Sequence, residues 1–286
     1  MIVHILIHTL EDSVRMLPFL YLAYLLIEAI ERHHGQRIER ALAGGGRWGF
    51  VPGALLGCVP QCGFSAMASN FYSSRVITLG TLLAVFLSTS DEAVPLLMAV
   101  PDQWPRMVLL IVLKVMIGLL AGFLLDFVFR KAVPVSLRGG YTGHADAVDC
   151  HEHHEEESSI WVAALTHTLN IFVFILLFSF LIGLVVHSVG EQTVAAFLNS
   201  MGPLQPIFAA LIGLVPNCAA SVLLTQLYLS GSIRFSAAVA GLCSGAGVGL
   251  AVLYKTNPSW KQNLFITGLL WAMGAGAGLI LQIIGL

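Results

Sequence analysis

The sequence predicts an all-α, polytopic membrane protein built as two inverted repeats, each with three spanning helices and one re-entrant helical hairpin. Three observations predict it. First, the 286-residue chain is 57% hydrophobic and only 10% charged, whereas soluble domains carry about 25% charged residues. Second, mean hydropathy is +0.85, and the apolar residues fall in runs near the roughly 20 residues that cross a hydrocarbon core. Third, one motif occurs in each half: Gly57-Cys-Val-Pro-Gln-Cys-Gly-Phe-Ser65 aligns with Gly213-Leu-Val-Pro-Asn-Cys-Ala-Ala-Ser221 at a shift of 156 residues.

In chain order, the apolar runs are Ile2–Ile30, Phe50–Tyr72, Val76–Val100, Met107–Phe129, Ile160–His187, Leu204–Leu229, Ile233–Leu253 and Asn263–Ile284. A polar stretch, Arg130–Ser159, divides them four and four. Domain organisation is therefore expected as a first membrane repeat over 1–130, a His- and acid-rich cytoplasmic linker over 131–159, and a second membrane repeat over 160–286. The 156-residue shift also brings Ser88 onto Ser244, and His8-Thr-Leu-Glu11 matches His167-Thr-Leu-Asn170 at a shift of 159. Two halves with weak internal symmetry are the build of many secondary transporters.

Positive charge chooses between topologies, because cytoplasmic loops collect Lys and Arg. If all eight runs cross, seven basic residues lie on one side and five on the other. If Phe50–Tyr72 and Leu204–Leu229 instead return to the side they entered from, the division is ten to two. Arg32, Arg37, Arg40, Arg47, Arg75, Arg130, Lys131, Arg138, Lys255 and Lys261 become cytoplasmic, and only Arg106 and Arg234 lie outside. Each half then crosses three times, so the repeats must be inverted. Pro60 and Pro216 sit near the hairpin centres, where a helix must break. The arm from Phe50 to Val59 would rise about 15 Å, so both tips are expected near the midplane. Non-helical backbone is tolerated there only against protein or a cavity.

These tips are the expected substrate site. The first offers Gln61, Cys62 and Ser65; the second offers Asn217, Cys218 and Ser221. Each supplies an amide, a thiol and a hydroxyl. The alternative is a pair of packed helix kinks. Val76–Val100 is interrupted by Ser88-Thr89-Ser90-Asp91-Glu92, which sets two carboxylates at the expected membrane centre. A charge there costs about 2.5–3.5 kcal/mol on insertion scales, so it needs a partner or a function. Ser244-Gly-Ala-Gly-Val-Gly249 stands at the equivalent place in the second half without charge. Ser88, Ser90, Asp91, Glu92 and Ser244 therefore join the candidate site. An ion pair of Asp91 or Glu92 with Lys114 is the structural alternative, and it is compatible with a gate. His8 and Asp12, four apart on one helical face, are further candidates for coupling or gating with Lys114; an interfacial amphipathic start is the competing account.

In the linker, His144, Cys150, His151, His153 and His154 lie among Asp and Glu, a mixture suited to zinc, cobalt or nickel. A solvated linker is the plain reading. Gly118 with Gly122, Gly241 with Gly245, Gly245 with Gly249, and Gly274 with Gly278 have the small-x3-small spacing of close helix contacts.

Other classes are disfavoured. A net charge of −2 leaves no nucleic-acid footprint. The chain contains no phosphate-binding loop and no His-Glu-x-x-His; in His151-Glu152-His153-His154-Glu155 a Glu stands where the second His belongs. Of the five cysteines, Cys58, Cys62, Cys218 and Cys243 lie in apolar runs, against a disulfide framework, and Cys150 lies in the linker. Met1 to Glu11 predicts no cleavable signal peptide. An enzyme is not expected, and no cofactor beyond a transported ion.

The chain resembles the ten-helix heavy-metal exporters, whose members are also labelled arsenic-efflux-permease-like proteins or manganese transporters. The resemblance rests on Leu10-Glu-Asp-Ser-Val-Arg-Met-Leu-Pro-Phe-Leu-Tyr-Leu-Ala-Tyr24, Pro60-Gln-Cys-Gly-Phe-Ser65, Ile77-Thr-Leu-Gly-Thr-Leu-Leu-Ala-Val-Phe-Leu-Ser-Thr-Ser-Asp-Glu92 and Pro216-Asn-Cys-Ala-Ala-Ser221. It covers nearly the whole chain and implies heavy-metal efflux; counting each hairpin as two helices gives ten. The expected function is secondary active export of a divalent metal, Mn²⁺ favoured, with oxygen from Asp91, Glu92 and Asp12. Export of arsenite or an organoarsenical through Cys62 and Cys218 is the alternative. The expected partners are a small ion and the lipid bilayer, with no nucleic acid and a homodimer allowed. The expected place is the inner (plasma) membrane of a prokaryote.

Overall fold

The computed structural model describes residues 21, 25, 48–58, 62–89, 93–98, 100–131, 133–139, 161–162, 165–166, 168–169, 172–173, 176–177, 191–216 and 218–286. The described part is almost wholly helical. In the first half run α1 (Phe50–Gly57), α2 (Cys62–Ser73), α3 (Leu79–Ser88), α4 (Ala93–Met98) and α5 (Trp104–Phe123), the last continued by a π-helical turn at Leu124–Val128. In the second run α6 (Glu191–Ser200), α7 (Gln205–Gly213), α8 (Cys218–Leu229), α9 (Phe235–Ser244), α10 (Val248–Thr256) and α11 (Trp260–Ile284).

The helix starts repeat with the same period as the motif. Cys62, Leu79 and Trp104 open α2, α3 and α5; Cys218, Phe235 and Trp260, each 156 residues later, open α8, α9 and α11. Small details repeat too. Val76 N–H bonds the Phe71 carbonyl at 2.8 Å, and Ser232 N–H bonds that of Leu227 at 2.9 Å. These are the long bonds of a Schellman stop, which needs a left-handed residue just before the donor. Gly231 (φ 74°) supplies it in one half and Arg75 (φ 60°) in the other.

The sequence marks these boundaries locally. Thr78 caps α3 by accepting from Thr81 N–H at 3.1 Å. Pro105 and Pro206 sit in the first turns of α5 and α7, where a missing N–H costs nothing. Gly285, left-handed, ends α11.

Among the described residues, four helical stretches are long and apolar enough to cross a membrane: Leu79–Met98, Pro101–Lys131, Phe235–Thr256 and Trp260–Ile284. Two of them are interrupted, between α3 and α4 and between α9 and α10, and these are the most covered by protein (80% and 94%). The straight pair is covered over only 33%. Val108, Val112, Met116 and Leu120 line the exposed face of α5, a stripe at helical spacing fit to meet lipid. By contrast, the eight residues of α1 and the twelve of α2 rise only about 12 and 18 Å; neither spans a bilayer alone. Helix α1 ends at Gly57 and α2 opens at Cys62, and α7 ends at Gly213 and α8 opens at Cys218, so the helix ends fall on either side of the two prolines as the sequence predicts. Helix also stops within Val76–Val100 and Ile233–Leu253, after Ser88 and after Ser244, at the polar interruption and the glycine run that the sequence shows there.

The packing follows the repeat. α3 lies between α1 and α5, and α9 between α7 and α11. Across the halves, α3 meets α9, α2 packs on α10, and α8 meets α4. The core is correspondingly shared: Leu83, Phe86, Leu87 and Leu110 pack with Val239, Leu242, Leu253 and Leu270.

Candidate functional site where four helix breaks meet

Glycine lets the helix ends come together. A Cβ on Gly57, three residues before Pro60, would meet the Val85 carbonyl at 2.6 Å and the Ser88 hydroxyl closer still. Gly213, three residues before Pro216, lies against the Gly241 carbonyl. The ends of α1 and α7 are thereby pressed onto the ends of α3 and α9. At the opposite side, Gly249 at the start of α10 would place a Cβ 2.6 Å from Ser65 Cβ, near the start of α2. Ser69 Oγ donates to the Gly249 carbonyl at 2.6 Å, and Ser73 Oγ lies 2.8 Å from Thr256 Oγ1. So α2 and α10 share a serine–threonine–glycine seam.

The straight helices press in by equivalent contacts. Gly118 faces the Ala84 carbonyl (2.8 Å to a built Cβ) and Ser88; Gly274 faces the Ala240 carbonyl (2.9 Å) and Ser244. Each residue of one set lies 156 positions from its counterpart. These are the close approaches that the small-x3-small spacing predicts.

The sequence-predicted residues divide as follows. Ser65, Ser88 and Ser244 are wholly buried, and Ser221 half-buried, beside the breaks. Ser88 Oγ donates to the carbonyls of Ala84 (2.8 Å) and Val85 (3.1 Å), and Ser244 Oγ to that of Ala240 (3.1 Å). Cys62 and Cys218 open α2 and α8. Gln61, Ser90, Asp91, Glu92, Asn217, His8, Asp12 and the linker residues His144, Cys150, His151, His153 and His154 lie outside the described residues. Among the described residues no three His, Cys, Asp or Glu side chains gather as a metal centre.

Lys114 is buried to 1% exposure. It points from α5 into the junction, and its ammonium donates to the carbonyls of Thr89, at the end of α3, and Leu242, near the end of α9.

One buried charge escaped the sequence reading. Asp126, in the π-helical turn, is 7% exposed. It accepts from Thr78 Oγ1 at 2.6 Å and from Gly80 N–H at 3.3 Å, so a carboxylate sits on the N-terminus of α3, where the helix dipole favours it. An acid inside the run Met107–Phe129 was the available signal. Its counterpart 156 residues on is Gln282, and that of Gly80 is Ser236; Gln282 Oε1 and Ser236 Oγ are buried without a hydrogen-bond partner. The two halves thus differ here: a carboxylate accepts at the start of α3, and the matching amide oxygen in the second half accepts nothing.

Comparison with known proteins agrees with this architecture. The family model described as "Putative, 10TM heavy-metal exporter" matches residues 2–138 and 138–253. The chain belongs to this family. No curated protein and no solved structure matches it. Family membership and the four apolar helices make the chain an integral membrane protein of a heavy-metal exporter family.

Proposed function

We propose that the protein is a secondary active exporter of a divalent metal ion, Mn²⁺ favoured, and that the ion binds where the four helix breaks meet. The observation that carries this reading is that junction: the ends of α1, α3, α7 and α9 brought together inside protein, in a chain of a heavy-metal exporter family. Unwound backbone and half-helix ends are how transporters bind ions at the midplane. The ligands would be Gln61, Cys62 and Ser65 from the first hairpin, Asn217, Cys218 and Ser221 from the second, and Ser88, Ser90, Asp91, Glu92 and Ser244 from the interrupted helices. Asp91 and Glu92 supply the hard charge that Mn²⁺ prefers, and His8, Asp12 and Lys114 are the coupling or gating groups. No catalysis is involved.

The 156-residue recurrence of helix starts and the ten-to-two division of basic residues support two inverted repeats, each with three crossings and a re-entrant hairpin, over 1–130 and 160–286. On this topology the linker 131–159 is cytoplasmic, where its histidines would gather metal for export. The membrane is the prokaryotic inner membrane. The test is metal content: cells or inverted vesicles carrying the protein should extrude or accumulate Mn²⁺ against its gradient, and vesicles without it should not.

Arsenite is the second reading, carried by Cys62 and Cys218 at the two hairpin breaks. Resistance to arsenite that vanishes with both thiols, without any movement of Mn²⁺, would establish it instead.

A further inference from the structure

A lysine ammonium buried in a membrane protein is expensive, and this molecule contains its own control for that position. The residue 156 positions after Lys114 is Leu270, which lies on the matching helix α11 and is also wholly buried. The fold therefore fills the position with a leucine in one half. In the other it places a cation, and that cation is held by main-chain carbonyls from both halves.

The carbonyls are of a particular kind. Thr89 is the residue that ends α3. Leu242 lies in the last turn of α9, and the amide that would ordinarily close onto it, Ala246 N–H, turns instead to the Ser244 carbonyl at 3.0 Å. Both are half-helix C-terminal oxygens, where partial negative charge gathers and where transporters coordinate metal cations. Asp91 and Glu92 follow Thr89 by two and three residues.

We propose that the carbonyls of Thr89 and Leu242 form a metal-cation site shared by the two repeats, with the Lys114 ammonium as its tethered occupant. A free metal cation and the ammonium exclude each other, because two positive charges cannot share one pair of carbonyls. Binding of the cation expels Lys114 and replaces its hold on α3 and α9 by a bridge between those two helices alone, so occupancy is coupled to the seating of α5 against the contact between the halves. The identity of the cation as cargo or coupling ion rests on the transport reading; the existence of the site does not.

The experiment measures binding, not export. Purified wild type, Lys114→Leu (a copy of the Leu270 side chain), Lys114→Ala and Lys114→Arg are melted across titrations of NaCl, KCl and MnCl₂, with N-methylglucamine chloride holding ionic strength. The neutral variants leave the carbonyls vacant, so at least one cation should raise their melting temperature saturably. The half-saturating concentration should be at least tenfold below that for wild type and for Lys114→Arg. A response to Mn²⁺ marks the site as cargo-binding, and a response to Na⁺ or K⁺ alone marks it as coupling. If the neutral variants respond to no cation differently from wild type, the proposal is overturned. It is also overturned if Lys114→Arg gains the same response, or if neither neutral variant folds in any cation. A protein that passes this test and moves no metal would sink the export reading and leave the site standing.

Discussion

Asp126 offers the sharpest test of how the first interrupted helix is held. Its carboxylate is 7% exposed and accepts from Thr78 Oγ1 and Gly80 N–H. Asp126→Ala removes both acceptors and leaves a buried amide unsatisfied. Hydrogen bonds to charged groups contribute about 1.5–3 kcal/mol, and an anion at a helix N-terminus about 0.3–1, up to about 2 when partly buried. These overlap, so the expected loss is about 3 kcal/mol. At roughly 2–4 °C per kcal/mol for a chain of 150–250 residues, the melting temperature should fall by about 6–12 °C. Asp126→Asn keeps an acceptor and loses the charge, so its fall should be about a third as large. The assay is thermal unfolding of the purified protein in one detergent, followed by tryptophan fluorescence. If Asp126→Ala melts with the wild type, the carboxylate does not hold α3 and the account of that helix start is wrong.

Other expectations follow from the same geometry. Gly274→Val should abolish folded protein, because its Cβ would lie 2.9 Å from the Ala240 carbonyl. Gly276→Ala, with nothing within 4 Å, should express like wild type; equal yields would refute the close α9–α11 contact. Arg75→Gly should stabilise by about 1 kcal/mol, since a side chain in left-handed backbone costs about 1–2 kcal/mol and Gly231 fills the matching place; a lower melting temperature would contradict this. Cysteines introduced at Gly35 and His151 should label from the cytoplasm, and one at Glu191 from outside. Labelling of Glu191 and His151 from one face would end the inverted-repeat topology.

Much of the fold was legible because the repeat is written twice. The Pro60 and Pro216 motifs marked where α1 and α7 give way to α2 and α8, and their spacing recurs in the helix starts. The glycine pairs gave the close contacts, since a missing Cβ is visible in sequence as well as in structure. The breaks inside Val76–Val100 and Ile233–Leu253 were half legible: Ser88–Glu92 and Ser244–Gly249 stood out as polar and glycine-rich stretches, but not as helix ends. Hydropathy averages over a window, and neither Thr89 nor Gly245–Gly247 lowers it enough to divide a span. Lys114 stood out as a charge in an apolar run, but the two carbonyls it meets did not. Main-chain carbonyls carry no sequence signature, and those of Thr89 and Leu242 are 153 residues apart. Asp126 was passed over because it lies near the end of a long apolar run, where a charge also fits an interfacial position.

The central claim is that a divalent metal leaves the cell through a carboxylate site at the junction of the two repeats. It is tested most directly by measuring Mn²⁺ and arsenic content in a metal-sensitive strain. The strain carries wild type, Asp91→Asn with Glu92→Gln, or Cys62→Ser with Cys218→Ser. The account predicts low cellular Mn²⁺ with wild type, full accumulation with the carboxylate pair replaced, and a modest rise with the serine pair, since oxygen serves Mn²⁺ as well as sulfur does. Unchanged Mn²⁺ in every strain, with arsenite extruded by wild type and retained only when both thiols are replaced, would contradict it.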